Sequence, residues 1–181
     1  MRALALVLLL ALVVAPAHAD QTDERLAGLF DRLKSTGDQI EAKTAEARIW
    51  QVWMVTRTEE AIIPFRRGMA AMEAGQLDAA LAMFDDVVAK APDFAEGWNK
   101  RATVLFLLGR LKESAVDVAR TLELEPRHFG ALAGLGLIRR AEGREAEALA
   151  AFEQGLAVNP HMPNIEAQAR ELRRKVRGRA I

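Results

Sequence analysis

The chain has 181 residues, of which 51% are hydrophobic and 28% charged, and its 25 basic and 25 acidic residues give a formal net charge of zero. This balance argues against a nucleic-acid-binding protein, which needs a basic surface. Because the chain contains no cysteine, disulfides, thiol nucleophiles and thiolate metal sites are excluded.

Residues 1–19 have the pattern of a secretory signal peptide. Arg2 precedes an unbroken apolar run from Ala3 to Ala15, and Ala17-His18-Ala19 supplies the small-x-small cleavage pattern. The apolar run is shorter than the roughly 18 to 20 residues that a membrane-spanning helix needs. We therefore expect cleavage before Asp20 and an exported, most simply periplasmic, protein. Retention of the segment as a membrane anchor is the alternative.

Residues 20–60 predict two helices separated by a break at Gly37-Asp38. The first helix has an apolar stripe of Leu26, Leu29, Phe30 and Leu33. The second has Ile40, Ala47, Trp50, Trp53 and Met54. We expect Trp50 and Trp53 to pack on the first helix of the segment that follows. The alternative is an exposed patch for a partner or a second copy, because tryptophan is enriched in binding hot spots.

Residues 61–162 repeat with a period of 34 residues. Each unit carries one glycine and one proline at matching places: Gly75, Gly109, Gly143, Pro92, Pro126 and Pro160. Each unit also holds two amphipathic runs with helical spacing. Glycine ends the first helix because it enters the left-handed region without steric cost, and proline ends the second. Such a period is typical of a stacked helix–turn–helix array.

The residues within these units resemble the tetratricopeptide repeat (TPR) family. The third unit, residues 129–162, matches the family pattern at Leu132, Leu135, Gly136, Ala148, Phe152 and Pro160. The second unit, residues 95–128, matches at Trp98, Ala102, Leu105 and Pro126, with Ser114 and Val118 in place of the usual Ala and Phe. The first unit, residues 61–94, matches at Gly68, Ala80, Phe84 and Pro92 and departs at Pro64 and Arg67. The resemblance implies an all-α helix–turn–helix solenoid of three TPR units, with residues 20–60 as a degenerate extra repeat.

Residues 163–181 predict a final helix that caps the array. Its apolar face carries Ile165, Ala169, Leu172 and Val176. Its other face is basic and carries Arg170, Arg173, Arg174, Lys175, Arg177 and Arg179. We interpret the basic face as a solvated surface with cations placed favourably at a helix C-terminus. The alternative is contact with an anionic membrane surface, a cell-wall polymer or an acidic partner.

No constellation of side chains predicts a catalytic, metal or cofactor site. His128 and His161 follow the prolines that end two successive units and therefore lie about one repeat apart. Metal ligands must converge on one ion, so we interpret both histidines as polar loop residues. We expect a non-enzymatic protein without a cofactor.

The resemblance to the TPR family implies a concave groove, lined by the first helix of each unit, in which partners bind as peptides or helices. The family's groove positions correspond here to Ile62, Phe65, Met69, Met72, Asn99, Thr103, Phe106, Leu137 and Arg140. Chaperone-binding members hold a C-terminal carboxylate with a clamp of Lys, Asn and Arg. The clamp positions here carry Phe65, Met69, Lys100, Gly130 and Gly134, so the clamp is absent.

We therefore predict a protein–protein interaction scaffold that binds an apolar or amphipathic peptide or helix, in assembly or maintenance of the cell envelope. The sequence leaves open whether the groove is accessible, covered by the N-terminal helices, or covered by a second copy. The alternative function is a structural homo-oligomer that uses the Trp50/Trp53 face and the groove for self-association.

Overall fold

The computed structural model describes residues 20–178, with side chains as far as Val176. This part of the chain forms the following helices: α1 (Arg25–Ser35), α2 (Gln39–Trp53), α3 (Glu59–Glu73), α4 (Leu77–Lys90), α5 (Ala95–Leu107), α6 (Leu111–Leu124), α7 (Phe129–Ala141), α8 (Glu145–Val158) and α9 (Pro163–Gly178). No described residue lies in a strand, so the predicted all-α fold is confirmed. The predicted signal peptide, Arg179 and the side chain of Arg177 lie outside the described residues. Between residues 20 and 178 no helix has the length and apolarity needed to span a membrane.

Three helix pairs, α3–α4, α5–α6 and α7–α8, form the repeated units, and each pair is joined by a tight glycine turn. Gly75, Gly109 and Gly143 have φ values of 71°, 75° and 75°, the left-handed region that favours glycine. In the first turn the amide of Gln76 donates to the carbonyl of Ala71, and Gly75 donates to Met72. The same pair of hydrogen bonds recurs in the other two turns. This is the Schellman motif, which satisfies the last carbonyls of each first helix.

Within a unit, a small residue on the first helix receives a large side chain from the second. A Cβ atom at Gly68 would lie 2.9 Å from the ring of Phe84, and one at Gly136 would lie 2.3 Å from the ring of Phe152. The middle unit has Ala102 packed with the smaller Val118 instead. Compared with the Gly–Phe pairs of the other two units, the residue on the first helix is larger and the residue on the second helix is smaller, so the two changes in volume compensate each other.

A second departure in the middle unit adds a buried hydrogen bond. Ser114, which stands where the family has Ala, donates its hydroxyl to the carbonyl of Ala102 at 2.7 Å. Pro64, the departure in the first unit, lies inside α3, and the helix continues to Glu73. Because Pro64 has no amide hydrogen, it cannot donate the usual helical hydrogen bond to the carbonyl of Glu60.

Helices α1 and α2 form a hairpin with its own small core. Asp38 begins α2 by accepting hydrogen bonds from the amides of Ile40 and Glu41. The hairpin core also includes Phe129 at the start of α7, and α1 approaches α8. The amide side chain of Gln21 donates to the carbonyl of Asp93, in the loop before α5. The hairpin thus lies along the edge formed by the inter-repeat loops.

This placement corrects one prediction about the N-terminal segment. Successive units stack through contacts of α4 with α5 and of α6 with α7, but α2 and α3 make no comparably close contact. Trp50 and Trp53 pack on the start of α7. The prediction that they pack on the first helix of the first unit is therefore wrong. The hairpin folds back over the array because its apolar side chains pack against Phe129. Phe129 lies at the edge formed by the inter-repeat loops, at the start of the third unit.

Candidate partner groove

The larger cavity on the predicted groove lies at the first unit and measures about 490 Å³. Three predicted groove residues of α3, Ile62, Phe65 and Met69, line it. The other wall comes from the segment after α2, through Met54 and Val55. The rim is polar and is completed by Thr56, Arg66 and Glu73. The cavity is therefore an apolar recess between one helix and the linker that connects it to the hairpin.

Phe65 forms the floor of this cavity. Its side chain is only 5% exposed, and its ring lies 6.0 Å from that of Phe84 and 5.1 Å from that of Phe94. Met72 is half-buried and packs against the same core, outside the cavity. Ile62 and Met69 are half-buried and lie two helical turns apart on one face of α3. They are therefore the partly accessible apolar side chains that α3 contributes to the cavity.

A smaller cavity of about 180 Å³ lies between α5 and α7. Four predicted groove residues line it: Asn99, Thr103, Phe106 and Leu137. Gly130 and Gly134 lie in the same wall, and a Cβ atom at Gly134 would meet nothing closer than 4.0 Å. Thr103 is exposed, and Phe106 and Leu137 are half-buried. Asn99 is buried and donates to the Glu96 carboxylate at 2.9 Å. The cavity is therefore a narrow recess between α5 and α7, and its accessible rim is formed by Thr103, Phe106 and Leu137.

Arg140 lines neither cavity. Its guanidinium donates to Gln168 at 2.9 Å and to the Glu171 carboxylate at 3.1 Å. The pKa of Glu171 lies below its usual range because of its hydrogen bond with Lys175 and the charge of Arg140. Arg140 therefore joins the third unit to the capping helix instead of presenting a polar point to a ligand.

The hairpin meets the array at a buried aromatic and charged cluster, which the sequence did not predict. The ring of Trp53 stacks on His128 with centroids 4.1 Å apart and an interplanar angle of 10°. Trp50 contacts His128 edge-on at 5.5 Å, and Lys100 lies over the Trp50 ring at 5.6 Å. His128 in turn lies 2.8 Å from Glu96. The sequence-based interpretation of His128 as a polar loop residue is therefore wrong, because its side chain is fully buried.

Hydrogen bonding determines the tautomer of the His128 ring. The amide of Ala131 donates to Nδ1 at 3.1 Å, so Nδ1 carries no proton and Nε2 donates to Glu96 Oε2. Burial alone would raise the pKa of Glu96, but the hydrogen bond from His128 and the charge of Lys100, 3.0 Å from Oε1, hold it below its usual range. Two sequence features pointed to this cluster: His128 stands immediately before a predicted helix, and Trp50 and Trp53 form a tryptophan pair with no assigned role.

The predicted basic face of α9 is largely occupied by ion pairs. Arg173 lies 2.8 Å from Glu153 and 3.3 Å from Glu166. Lys175 lies 2.8 Å from Glu171, and Arg170 lies 3.8 Å from Glu166. Arg174 is exposed. Because carboxylates neutralise most of these cations, the described part of α9 presents a mixed rather than a strongly positive surface.

Comparison with known proteins supports the assignment of the repeats. A tetratricopeptide repeat family model matches residues 65–123. A TPR repeat-containing protein of Rhizobium etli is 33% identical over 155 residues, which cover 86% of this chain and 76% of that protein. The Hsp70-Hsp90 organizing protein of Triticum aestivum is 32% identical over 101 residues, which cover 56% of this chain and 17% of that protein.

Solved structures show the same helical array. The Arabidopsis OM64 TPR domain matches with a TM-score of 0.64 at 19% identity, over 66% of this chain and 99% of that domain. The first TPR of Spaghetti (RPAP3), bound to an HSP90 peptide, matches with a TM-score of 0.64 at 18% identity, over 67% of this chain and 96% of that one. At these identities the likeness concerns the fold alone. The repeat period, the three glycine-turned helix pairs and the relative matched over most of its length show that this chain belongs to the TPR family.

Proposed function

We propose that this chain is a non-enzymatic, exported interaction scaffold whose concave groove binds an apolar or amphipathic peptide segment of a protein partner. The observation that carries the proposal is the pair of cavities lined by predicted groove residues, three at the first unit and four between α5 and α7. The larger cavity, at about 490 Å³, has the size of a small-ligand or side-chain pocket, for which roughly 300–1,000 Å³ is usual.

The chemistry of the walls favours an apolar segment. Ile62, Met69 and Met54 line the larger cavity, and methionine adapts its shape to varied apolar ligands. Arg66 and Glu73 stand at its rim with opposite charges. This arrangement suits the apolar face of an amphipathic helix, whose polar flanks meet the rim.

The same groove is poorly suited to a carboxylate-terminated peptide such as the HSP90 peptide bound by the structural relative. Of the residues at the family's clamp positions, only Lys100 is basic. Lys100 is already paired with Glu96 at 3.0 Å and lies over the Trp50 ring. A chaperone tail would therefore find no available cation at these positions.

The expected signal peptide supports a place outside the cytoplasm, and with it a role in assembly or maintenance of the cell envelope. The partner would then be an envelope protein with an exposed apolar or amphipathic segment.

The test is a crosslinking pull-down from envelope extract with the purified mature chain and two matched variants of α3. Ile62→Glu places a charge at the larger cavity, whereas Ile63→Glu changes the neighbouring side chain, which is 62% exposed. We expect a prey captured by the wild type and by Ile63→Glu, and lost at least tenfold with Ile62→Glu. Circular dichroism verifies that both variants are folded. Equal capture by all three proteins would refute binding at this cavity.

Self-association through the tryptophan face receives no support from the structure. Trp53 is 1% exposed, and Trp50 is half-buried against His128 and Phe129. The alternative of a homo-oligomer that uses an exposed Trp50/Trp53 face therefore requires the hairpin to leave the array first. Light scattering over a dilution series is expected to show a monomer.

A further inference from the structure

Another cavity, of about 610 Å³, lies in the N-terminal hairpin, and all of its walls come from α1 and α2. We call it the hairpin cavity. It shares no residue with the two groove cavities. Phe30, Trp50 and Trp53, whose rings contact the repeats, do not line it. An inference about the hairpin cavity therefore goes beyond the proposed groove function and is tested separately from it.

The floor of the hairpin cavity is apolar, and a glycine leaves part of it open. Leu29 is half-buried, Val52 is only 5% exposed, and both line the cavity. Gly28 lies beside Leu29 within α1, and a Cβ atom at this position would meet nothing within 4 Å. Glycine is unfavourable inside a helix, and no neighbouring atom requires it here. The effect of Gly28 is therefore to keep this part of the cavity free of a side chain.

Three exposed arginines surround this floor. Arg25 and Arg32 are seven residues apart on α1, or about 10 Å along the helix axis, and Arg48 stands on α2; all three line the cavity. Gln51 lies one turn after Arg48 and adds an amide that both donates and accepts. No carboxylate lines the cavity, although the chain as a whole has a net charge of zero. The lining therefore has a local excess of positive charge.

Two of these arginines are available to an anionic ligand. Arg25 is held by two hydrogen bonds to the Asp23 carboxylate, at 2.9 and 2.6 Å. Arg32 lies 3.3 Å from Glu41 in a pair whose two side chains are 58% and 45% exposed, and such a pair is weak. Among the side chains that the structure describes, none forms an ion pair or hydrogen bond with Arg48. Arg48 and Arg32 can therefore bind an anion without breaking a strong interaction.

We propose that the hairpin cavity binds a single-chain anionic amphiphile, whose carboxylate or phosphate group pairs with Arg48 and Arg32 and whose apolar chain lies against Leu29 and Val52. Guanidinium groups bind both kinds of anion through paired hydrogen bonds. The volume of about 610 Å³ lies in the range usual for small-molecule sites, roughly 300–1,000 Å³. Because the apolar floor is recessed between two helices, it fits a separate chain better than the surface of a membrane.

Isothermal titration calorimetry tests the two halves of this ligand. Dodecanoate and dodecyl phosphate, each below the concentration at which it forms micelles, are titrated into the purified mature chain, and we expect saturable binding of one molecule per chain. Inorganic phosphate supplies the anionic group alone, and dodecyl maltoside supplies the same chain with a neutral head. Both are expected to bind at least tenfold more weakly. Absence of saturable binding by the two anionic amphiphiles, or equal binding by either control, would overturn the proposal.

Matched substitutions on α2 test the cationic rim. Arg48→Gln removes a cation without leaving a carboxylate unpaired, whereas Lys43→Gln makes the same change of charge at an exposed position outside the cavity. We expect the affinity for dodecanoate to fall at least tenfold with Arg48→Gln and to change less than twofold with Lys43→Gln. Equal losses would show a general attraction of charge and would refute a site at Arg48.

A second pair of substitutions, on α1, tests the open floor. Gly28→Leu fills the space at the cavity, whereas Ala27→Leu adds the same side chain at the neighbouring exposed position, which does not line it. Because leucine favours a helix more than glycine does, we expect Gly28→Leu to remain folded, as circular dichroism verifies. Its affinity for dodecanoate should fall at least tenfold, and that of Ala27→Leu should not. Unchanged binding by Gly28→Leu would contradict the proposed position of the chain.

Two further measurements separate this site from other places where an amphiphile could bind. In the wild type, saturation with dodecanoate should shift the backbone amide resonances of Gly28 and Gln51 but not that of Met69 in the groove. Shifts confined to the groove, or loss of binding with Ile62→Glu instead of Arg48→Gln, would overturn the proposal and leave the groove function intact. Binding to phosphatidylglycerol vesicles without binding of monomeric amphiphile would also overturn it, because it would assign the arginines to a membrane surface.

Discussion

Two glycines of α7 provide a matched test of how the third unit is packed. A Cβ atom at Gly136 would lie 2.3 Å from Cδ1 and Cε1 of Phe152, well inside van der Waals contact. A Cβ atom at Gly134, two residues earlier, would lie 4.0 Å from its nearest neighbour, Cγ2 of Val118. The same Gly→Ala substitution therefore enters a filled space at one position and an open one at the other.

The expected magnitudes follow from this geometry. Alanine stabilises a helix by about 1 kcal/mol relative to glycine at either position. At Gly136 the methyl group must move Phe152, which is fully buried with Ala148 and Leu172, and such over-packing costs about 1–3 kcal/mol. Gly134→Ala is therefore expected to stabilise the protein by about 1 kcal/mol. Gly136→Ala should be less stable than Gly134→Ala by about 1–3 kcal/mol, because the helix-propensity terms cancel.

Urea denaturation followed by circular dichroism measures this difference, and hydrogen exchange of α7 amides verifies that it arises in the third unit. Equal stabilisation by both substitutions would refute the close packing of Gly136 on Phe152. Gly134→Ala has a second use, because Gly134 lines the smaller cavity. If ligands occupy that cavity, this stable variant should bind them more weakly than the wild type.

Two further predictions concern buried charges. Arg101→Ala removes a guanidinium that contacts the buried Asp117 carboxylate twice at 2.7 Å, so we expect a loss of about 3 kcal/mol in urea unfolding. Arg110→Ala, which breaks an exposed pair, should leave the midpoint unchanged, and equal effects of the two would contradict the prediction. The folded-state pKa of Glu96 lies below its ordinary value of 4.5, so its contribution to stability is present above about pH 4.5 and lost as the pH falls through the lower, folded pKa. Tryptophan fluorescence should report the change around Trp50 and Trp53, which contact His128, in that window, and Glu96→Gln should remove this part of the acid transition although Lys100 and His128 still face the site.

The resemblance to the TPR family predicts which positions of the first helices face the groove. Of these, Ile62 and Met69 line a cavity. Phe65 occupies the same face but is 5% exposed, because its ring reaches Phe84 and Phe94. Arg140 reaches acceptors on α9 instead of the groove. Periodicity gives the direction of a side chain from its own helix, but it does not give what that side chain meets.

The sequence by itself determined the repeated architecture of this protein. The 34-residue period recurs as three helix pairs because each glycine supplies a left-handed turn and each apolar stripe is satisfied by its neighbour in the chain. These interactions join residues that are close in the chain, so their pattern can be recognised in the sequence alone. Even the exchange of Phe for Val118 opposite Ala102 is a local compensation within one unit.

Only the tertiary structure decided where the N-terminal hairpin lies. Trp53 meets His128, 75 positions further along the chain, and Trp50 covers Gly130. An apolar stripe on a short helix pair specifies that it must be buried, but it does not specify the partner, since several apolar edges of a helical array can satisfy it. The choice depended on ring stacking, on the absence of a side chain at Gly130 and on the buried Glu96–His128 pair, which exist only when distant units are brought together.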